Sequence, residues 1–171
     1  MSKTEFLIQT FTMTASPAED RLRLDAVNTG GLLQAIWITR RLADRFIPHL
    51  AKHAEKQAEA SAARDLVLSM QQEQLRSERA ASPIPAVQLQ PAIVPWLCRT
   101  IQLKERPEGL IWTMSDDGLT HAHMVLTGEN VRALLDIFLT NYRRLEWSEQ
   151  GFPEWAIEAA APKATVAATL N

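Results

Sequence analysis

The sequence predicts an α+β fold built from two successive βββα units. Three strand-like runs lead into an amphipathic helix near Arg40–Lys52, and three more lead into a second helix near Glu129–Trp147. Both helices follow a strand that ends in an aliphatic residue and a threonine, Ile38–Thr39 and Leu126–Thr127. Because three strands and one helix are thin alone, we expect a pseudo-duplicated pair with a mostly antiparallel sheet and one shared core.

The first half is predicted to comprise residues 1–53. Glu5–Thr14 and Arg21–Ala26 alternate in polarity, as half-buried strands do. Asn28–Gly31 is a turn sequence, because asparagine and glycine tolerate positive φ. Leu32–Ile38 is then the returning strand, and the threonine that follows it suits the N-cap of the first helix.

A connector, residues 54–95, is predicted to separate the halves. Shortly before this connector, Pro48 is expected to kink or break the first helix, because proline removes a backbone donor and clashes with the preceding turn. Ala51–Ala80 is rich in helix-forming residues, so we expect a helical excursion. Ala81–Pro95 carries four prolines and is predicted to be extended and irregular.

The second half is predicted at residues 96–147, with strands at Trp96–Lys104, Leu110–Met114 and Thr120–Leu126. The helix that follows carries the clearest apolar stripe in the chain, formed at helical spacing by Val131, Leu134, Leu135, Phe138, Tyr142 and Leu145. Residues 148–171 are expected to form a mobile, alanine-rich tail that includes a docking segment.

Composition and charge restrict the class of protein. The chain has 171 residues, of which 46% are hydrophobic and 22% charged, as is ordinary for a soluble globular protein. A net charge of −2 provides no broadly basic field for nucleic acid. The lone cysteine forms no internal disulfide, and the sequence lacks a signal peptide and a membrane-spanning run. We therefore expect a cytoplasmic protein with no membrane association.

The residues with catalytic chemistry do not form a recognisable constellation. Cys98 lies in a predicted strand, where its neighbour Arg99 points to the opposite face, so we predict a small buried residue rather than a reactive thiol. Glu19–Asp20 and Asp116–Asp117 lie at turns, where carboxylates cap their own backbone. Gly30–Gly31 lacks the lysine and spacing of a phosphate-binding loop. We therefore predict a non-enzymatic protein that needs no cofactor.

Peripheral aromatic residues and open sheet edges indicate a protein-binding or assembly scaffold. Open edges offer backbone groups for pairing, and tryptophan near the end of an element often anchors an interface. We predict that the partner is another protein or a second copy of the chain in a homodimer. The residues predicted to bind it are Trp147, Phe152, Trp155 and Ile157.

A nucleic-acid-binding module is the first alternative. It would use an Arg-rich sheet face formed by Arg21, Arg23, Arg40 and Arg41. The near-neutral charge of the chain favours instead a solvated face with acidic partners. Nucleic acid is therefore a possible partner that the sequence does not favour.

A metal-binding protein is the second alternative, because the four histidines come in pairs that each share a face. Residues four apart on a helix, or two apart on a strand, can place two imidazoles on one metal ion. If the pairs met in space, the metal ligands would be His49, His53, His121 and His123.

Overall fold

A computed structural model describes residues 5–58 and 60–161 and confirms the α+β class. None of the helices in these two ranges is both long enough and apolar enough to cross a lipid bilayer. Within them the chain forms, in order, β1 (Glu5–Ser16), β2 (Arg21–Asn28), β3 (Leu33–Thr39), α1 (Arg40–Lys56), α2 (Arg64–Ala81), β4 (Trp96–Leu97), β5 (Thr100–Arg106), β6 (Gly109–Ser115), β7 (His121–Leu126), α3 (Gly128–Arg144) and α4 (Glu154–Ala159).

Strand pairing follows the predicted pseudo-duplication. The sheet order is β4-β3-β2-β1-β7-β6-β5, so each half contributes an antiparallel meander. β1 begins parallel to β7 at residues 5–7 and then runs antiparallel to β2. β4 likewise begins parallel to β3, and the chain continues as β5 antiparallel to β6. The first strand of each half therefore pairs with the last strand of the other half, and these two pairings join the halves into one sheet.

Two adjacent residues join the edges of this sheet. The Cys98 amide donates to the carbonyl of Trp37 on β3 at 2.9 Å, and the Arg99 amide donates to that of Ser115 on β6 at 2.8 Å. Because neighbouring residues bond to opposite edge regions, the sheet curls back on itself. Cys98 is buried, as predicted, and burial raises the pKa of its thiol to about 11. The thiol is therefore protonated at neutral pH and has a structural role.

A β-bulge in β1 changes which side chains face the core. The register between β1 and β2 shifts between Ile8 and Thr10. Ile8 is buried before the bulge and Met13 is buried after it. Strict alternation along Glu5–Thr14 would place Leu7 on the same face as Phe11 and Met13, but the extra residue of the bulge reverses the alternation. Leu7 is 43% exposed, whereas Phe11 packs against the core.

Aromatic rings join the sheet to the helices at the centre of the core. α1 and α3 contact the sheet and each other, and α2 and α4 contact each other and α3. Trp112 on β6 is fully buried. Phe46 of α1 stacks on it at a centroid distance of 5.9 Å, and Phe11 of β1 meets it edge-on at 5.8 Å. Phe138 of α3 lies 5.6 Å from Phe46, so one cluster links β1, β6, α1 and α3.

Helix α1 continues unbroken through Pro48 to Lys56, so the break considered from the sequence does not occur. Proline costs the helix one backbone hydrogen bond, but Phe46, Ile47 and Leu50 around it are buried. Tertiary packing of this face therefore offsets the local penalty. The helix begins as predicted, because the Thr39 hydroxyl accepts from the Leu42 amide at 3.3 Å.

Candidate functional site

The segment predicted to dock on a partner is packed into the core of its own chain. Trp147, Phe152 and Trp155 are 5%, 5% and 2% exposed. Trp147 and Phe152 each meet the Tyr142 ring at a near-perpendicular angle, with centroid distances of 5.0 and 5.1 Å. Trp155 Nε1 donates to Glu55 Oε1 at 3.2 Å. These side chains therefore hold the C-terminal region against α1 and α3.

Two predictions about the C-terminal region are corrected by this packing. The aromatic residues are not surface anchors, and Ile157 also packs against the core, because burying this much apolar area is more favourable than exposing it. Residues 148–161 belong to the packed body and include α4, so the predicted tail, 148–171, does not begin at 148. Residues 162–171 lie outside the described residues.

The two histidine pairs predicted to share a metal ion lie on opposite sides of the sheet. His49 and His53 are on α1, which covers the inner face, and His53 Nδ1 lies 3.4 Å from Glu105 Oε1. His121 and His123 alternate with a fully buried alanine and therefore face outwards. Within the described ranges, no three His, Cys, Asp or Glu side chains are placed to hold a metal ion. The layering of the fold therefore separates the two pairs, so the condition for a four-histidine site is not met.

The arginines predicted to bind nucleic acid lie around β2 and the start of α1: Arg21, Arg23, Arg40 and Arg41. Two of them have acidic partners. Arg23 Nε lies 3.0 Å from Asp25 Oδ1, and Arg40 Nε lies 3.6 Å from Asp44 Oδ2. These carboxylates reduce the positive potential that a phosphate backbone would meet. Nucleic-acid binding by this surface stays a prediction.

A groove of about 610 Å³ lies between β1 and α3. Residues 9–13 of β1 form one wall, α3 forms the other, and residues 82–86 of the connector lie along it. Its apolar lining includes Phe11, Met13, Leu75, Met124, Leu134 and Ile137. Volumes of several hundred Å³ with an apolar lining and a few polar groups are typical of binding sites.

In this groove β1 presents an unpaired backbone edge. β7 pairs with β1 only at residues 5–7, so residues 9–13 have β2 on one side and, within the described ranges, no strand on the other. The Met13 carbonyl accepts from Asn141 Nδ2 at 3.4 Å, so the backbone of Met13 faces α3. The backbone of Phe11, two residues earlier in the strand, faces the same way. A free strand edge is a template for pairing with another chain.

Two buried polar side chains of α3 fix the walls of the groove. Asp136 is 6% exposed and accepts from Arg76 Nη1 and, at 2.9 Å, from Arg79 Nη1, which ties α2 to α3. Asn141 is 3% exposed and donates to the Ile137 carbonyl at 2.9 Å as well as to β1. Its Oδ1 has no hydrogen-bond partner among the described residues. The groove is therefore held open by specific bonds rather than by loose packing.

Replacing Asp136 with alanine is expected to lower the free energy of unfolding by about 1 to 3 kcal/mol, because Arg76 and Arg79 lose their shared acceptor. Both arginine side chains are partly exposed, at 32% and 41%, so water compensates part of the loss. Urea unfolding measures the change. The matched control is Glu78→Ala, which removes an exposed helix bond to Gln74 and should cost less than about 0.5 kcal/mol. Equal losses in the two variants would contradict this role of Asp136.

The groove was not predicted from the sequence, although two signals for it are present. Buried apolar residues switch parity along β1, from Ile8 to Met13, which is the mark of a bulge. Asp136 and Asn141 are polar residues beside the apolar stripe of α3, and a polar residue in that position needs a partner. The unpaired edge itself has no sequence signal, because it depends on where β7 stops pairing with β1.

Comparisons with protein-family models, with curated proteins and with solved structures found no match to this chain.

Proposed function

We propose that the chain is a non-enzymatic protein-binding or assembly protein, and that its groove takes an extended segment of a partner protein as an added strand. The observation that supports this function best is that residues 9–13 pair, among the described strands, with β2 alone and leave their other edge without a strand. In such complexes, main-chain hydrogen bonds from the sheet edge supply affinity and alternate side chains of the segment supply specificity. The proposal involves no reaction and no cofactor.

The lining of the groove indicates which side chains the segment carries. Successive side chains of a strand point to opposite faces, so every second residue of the segment would enter the groove. Phe11, Met124 and Ile137 line the groove, are only partly buried and present an apolar surface there. We therefore expect aliphatic or aromatic residues at alternate positions in the centre of the segment.

Charges at the two ends of the groove define its direction. Glu129 and Arg144 line the groove at opposite ends of α3, and neither has an ion-pair partner among the described residues. They are separated by about 22 Å along the helix axis, which an extended segment of about seven residues spans. We expect a basic residue near Glu129 and an acidic residue near Arg144, because unpaired rim charges steer and orient a partner.

Selection of a phage-displayed library of random peptides on the purified protein tests this function. Peptides with alternating apolar residues are expected to be enriched, and the best of them is then measured by fluorescence anisotropy. Arginine introduced on the groove side of α3, in Ala133→Arg or Thr140→Arg, should weaken binding by about tenfold or more. The control is Thr29→Arg, which adds the same charge at an exposed turn.

Unchanged affinity in both groove variants, or no enrichment of peptides, would contradict the proposal. Light scattering then distinguishes a second copy of the chain from another protein as the natural occupant. A mass near twice 19.2 kDa that falls to one copy in Ala133→Arg assigns the groove to the predicted homodimer. A dimer that survives this substitution uses another surface and leaves the groove to a different protein.

A further inference from the structure

A second pocket, of about 400 Å³, lies where the end of α1 meets the start of α2 and the second turn of α3. It shares no lining residue with the groove. Its polar lining is formed by Gln57, Ser61, Arg64, Gln71 and Arg132. Among the described residues that line it, two are cationic and none is acidic. The described lining of the pocket is therefore positively charged, in a chain with a net charge of −2.

Arg132 supplies the most unusual group in this pocket. Its Nε is shielded from solvent and has no hydrogen-bond partner within the described part of the chain, and no carboxylate there lies within ion-pairing distance of its guanidinium. By contrast, Arg76 and Arg79 both reach Asp136, and Arg143 reaches Glu149. A guanidinium without a carboxylate partner attracts an anion, so Arg132 is the group of this pocket that an anionic ligand would meet.

Arg64 adds a second guanidinium beside the start of α2. Its Nε makes no hydrogen bond, but it lies 3.5 Å from Asp65 Oδ1 and so forms a long ion pair with that exposed carboxylate. The N-cap position of α2 is Ala63, whose side chain caps no amide. The first amides of an uncapped helix carry partial positive charge and favour an anion. Asp65 offsets part of this positive field and pairs with Arg64, so Arg132 carries most of the attraction for an anion.

We propose that this pocket binds a phosphate group, either as the free ion or as part of a small phosphate ester. The planar guanidinium fork matches two phosphate oxygens at once, which makes arginine the preferred residue for this anion. Apolar side chains on the other side of the pocket would lie along the organic part of an ester: Ala54, Ala58, Val67 and Leu68. This site is independent of the function proposed for the groove.

Isothermal titration with inorganic phosphate, AMP and adenosine at constant ionic strength tests the site. Phosphate and AMP are expected to bind saturably and adenosine is not, because it lacks the anion. Tighter binding of AMP than of phosphate assigns the site to an ester, and equal binding assigns it to the free ion. Arg132→Gln should weaken binding by about tenfold or more, and Arg132→Lys, which keeps the charge without the fork, by less.

The matched control is Arg45→Gln, which removes an exposed arginine of α1 that does not line the pocket. It should bind phosphate as the unmodified chain does. Circular dichroism verifies that each variant is folded. If Arg132→Gln does not fold, Arg64→Gln is tested in its place. The site is disproved if neither phosphate nor AMP binds saturably below about 10 mM, or if the folded arginine variants bind them unchanged.

Discussion

Replacing Trp112 with alanine is expected to lower the free energy of unfolding by about 3 to 5 kcal/mol, the usual cost of deleting a large aromatic side chain from a core. The indole is fully buried and contacts both Phe11 and Phe46. Its removal leaves a cavity where β1, β6 and α1 meet, and neither half of the pseudo-duplicated fold has an independent core to compensate. Urea unfolding followed by circular dichroism measures the loss.

Trp112→Phe is the informative companion variant. Trp112 Nε1 is buried and has no hydrogen-bond partner among the described residues. Phenylalanine keeps an aromatic ring against Phe46 but fills less of the core, which destabilises the fold. It also removes the unsatisfied donor, which stabilises the fold, so the two effects oppose each other. We expect this variant to lie within about 1 to 2 kcal/mol of the unmodified chain. Similar losses for alanine and phenylalanine would show that the ring cluster does not hold the fold in the way described.

Replacing Trp155 with alanine is expected to cost about 3 kcal/mol or more, although this residue follows the last long helix. The side chain is 2% exposed and its Nε1 donates to Glu55. The loss should appear in the isolated chain, without any partner. That outcome distinguishes a structural role from the docking role predicted from the sequence, because a surface anchor contributes little to the stability of the free protein.

Glu158→Ala is the control for this prediction, since Glu158 lies on the same short helix, α4, and is exposed. Its effect should remain within about 0.5 kcal/mol. If Trp155→Ala unfolds at the same urea concentration as Glu158→Ala, the C-terminal segment does not contribute to the core.

Local patterns in the sequence were sufficient to predict the elements of the fold. The alternation in β2, the turn at Asn28–Gly31, the cap at Thr39 and the apolar stripe of α3 each depend on residues close together in the chain. For this reason the two βββα units and the helical excursion α2 were predictable. The burial of Cys98 was also predicted correctly, although Cys98 and Arg99 separate β4 from β5 and do not lie within one strand as predicted.

Long-range pairing and packing were not predictable in the same way. The parallel contacts of β1 with β7 and of β4 with β3 join residues far apart in the chain, and no local pattern specifies them. Trp155 was assigned to a mobile tail because a short helix has too few residues to show periodicity. Contacts of α4 with α2 and α3, and the hydrogen bond from Trp155 to Glu55 of α1, determine its position instead. The groove depends on both long-range strand pairing and tertiary packing. It exists only where β1 stops pairing with β7 and lies beside α3.

Amide hydrogen exchange of β1 tests the proposed strand addition most directly. It compares the protein alone with the protein saturated by the selected peptide. The amides of Phe11 and Met13, which face the groove, are expected to exchange about tenfold more slowly in the complex, because each becomes a donor to the added strand. The amides of Gln102 and Lys104 on the edge strand β5 should not change. Unaltered exchange at Phe11 and Met13 with bound peptide would contradict strand addition at this edge.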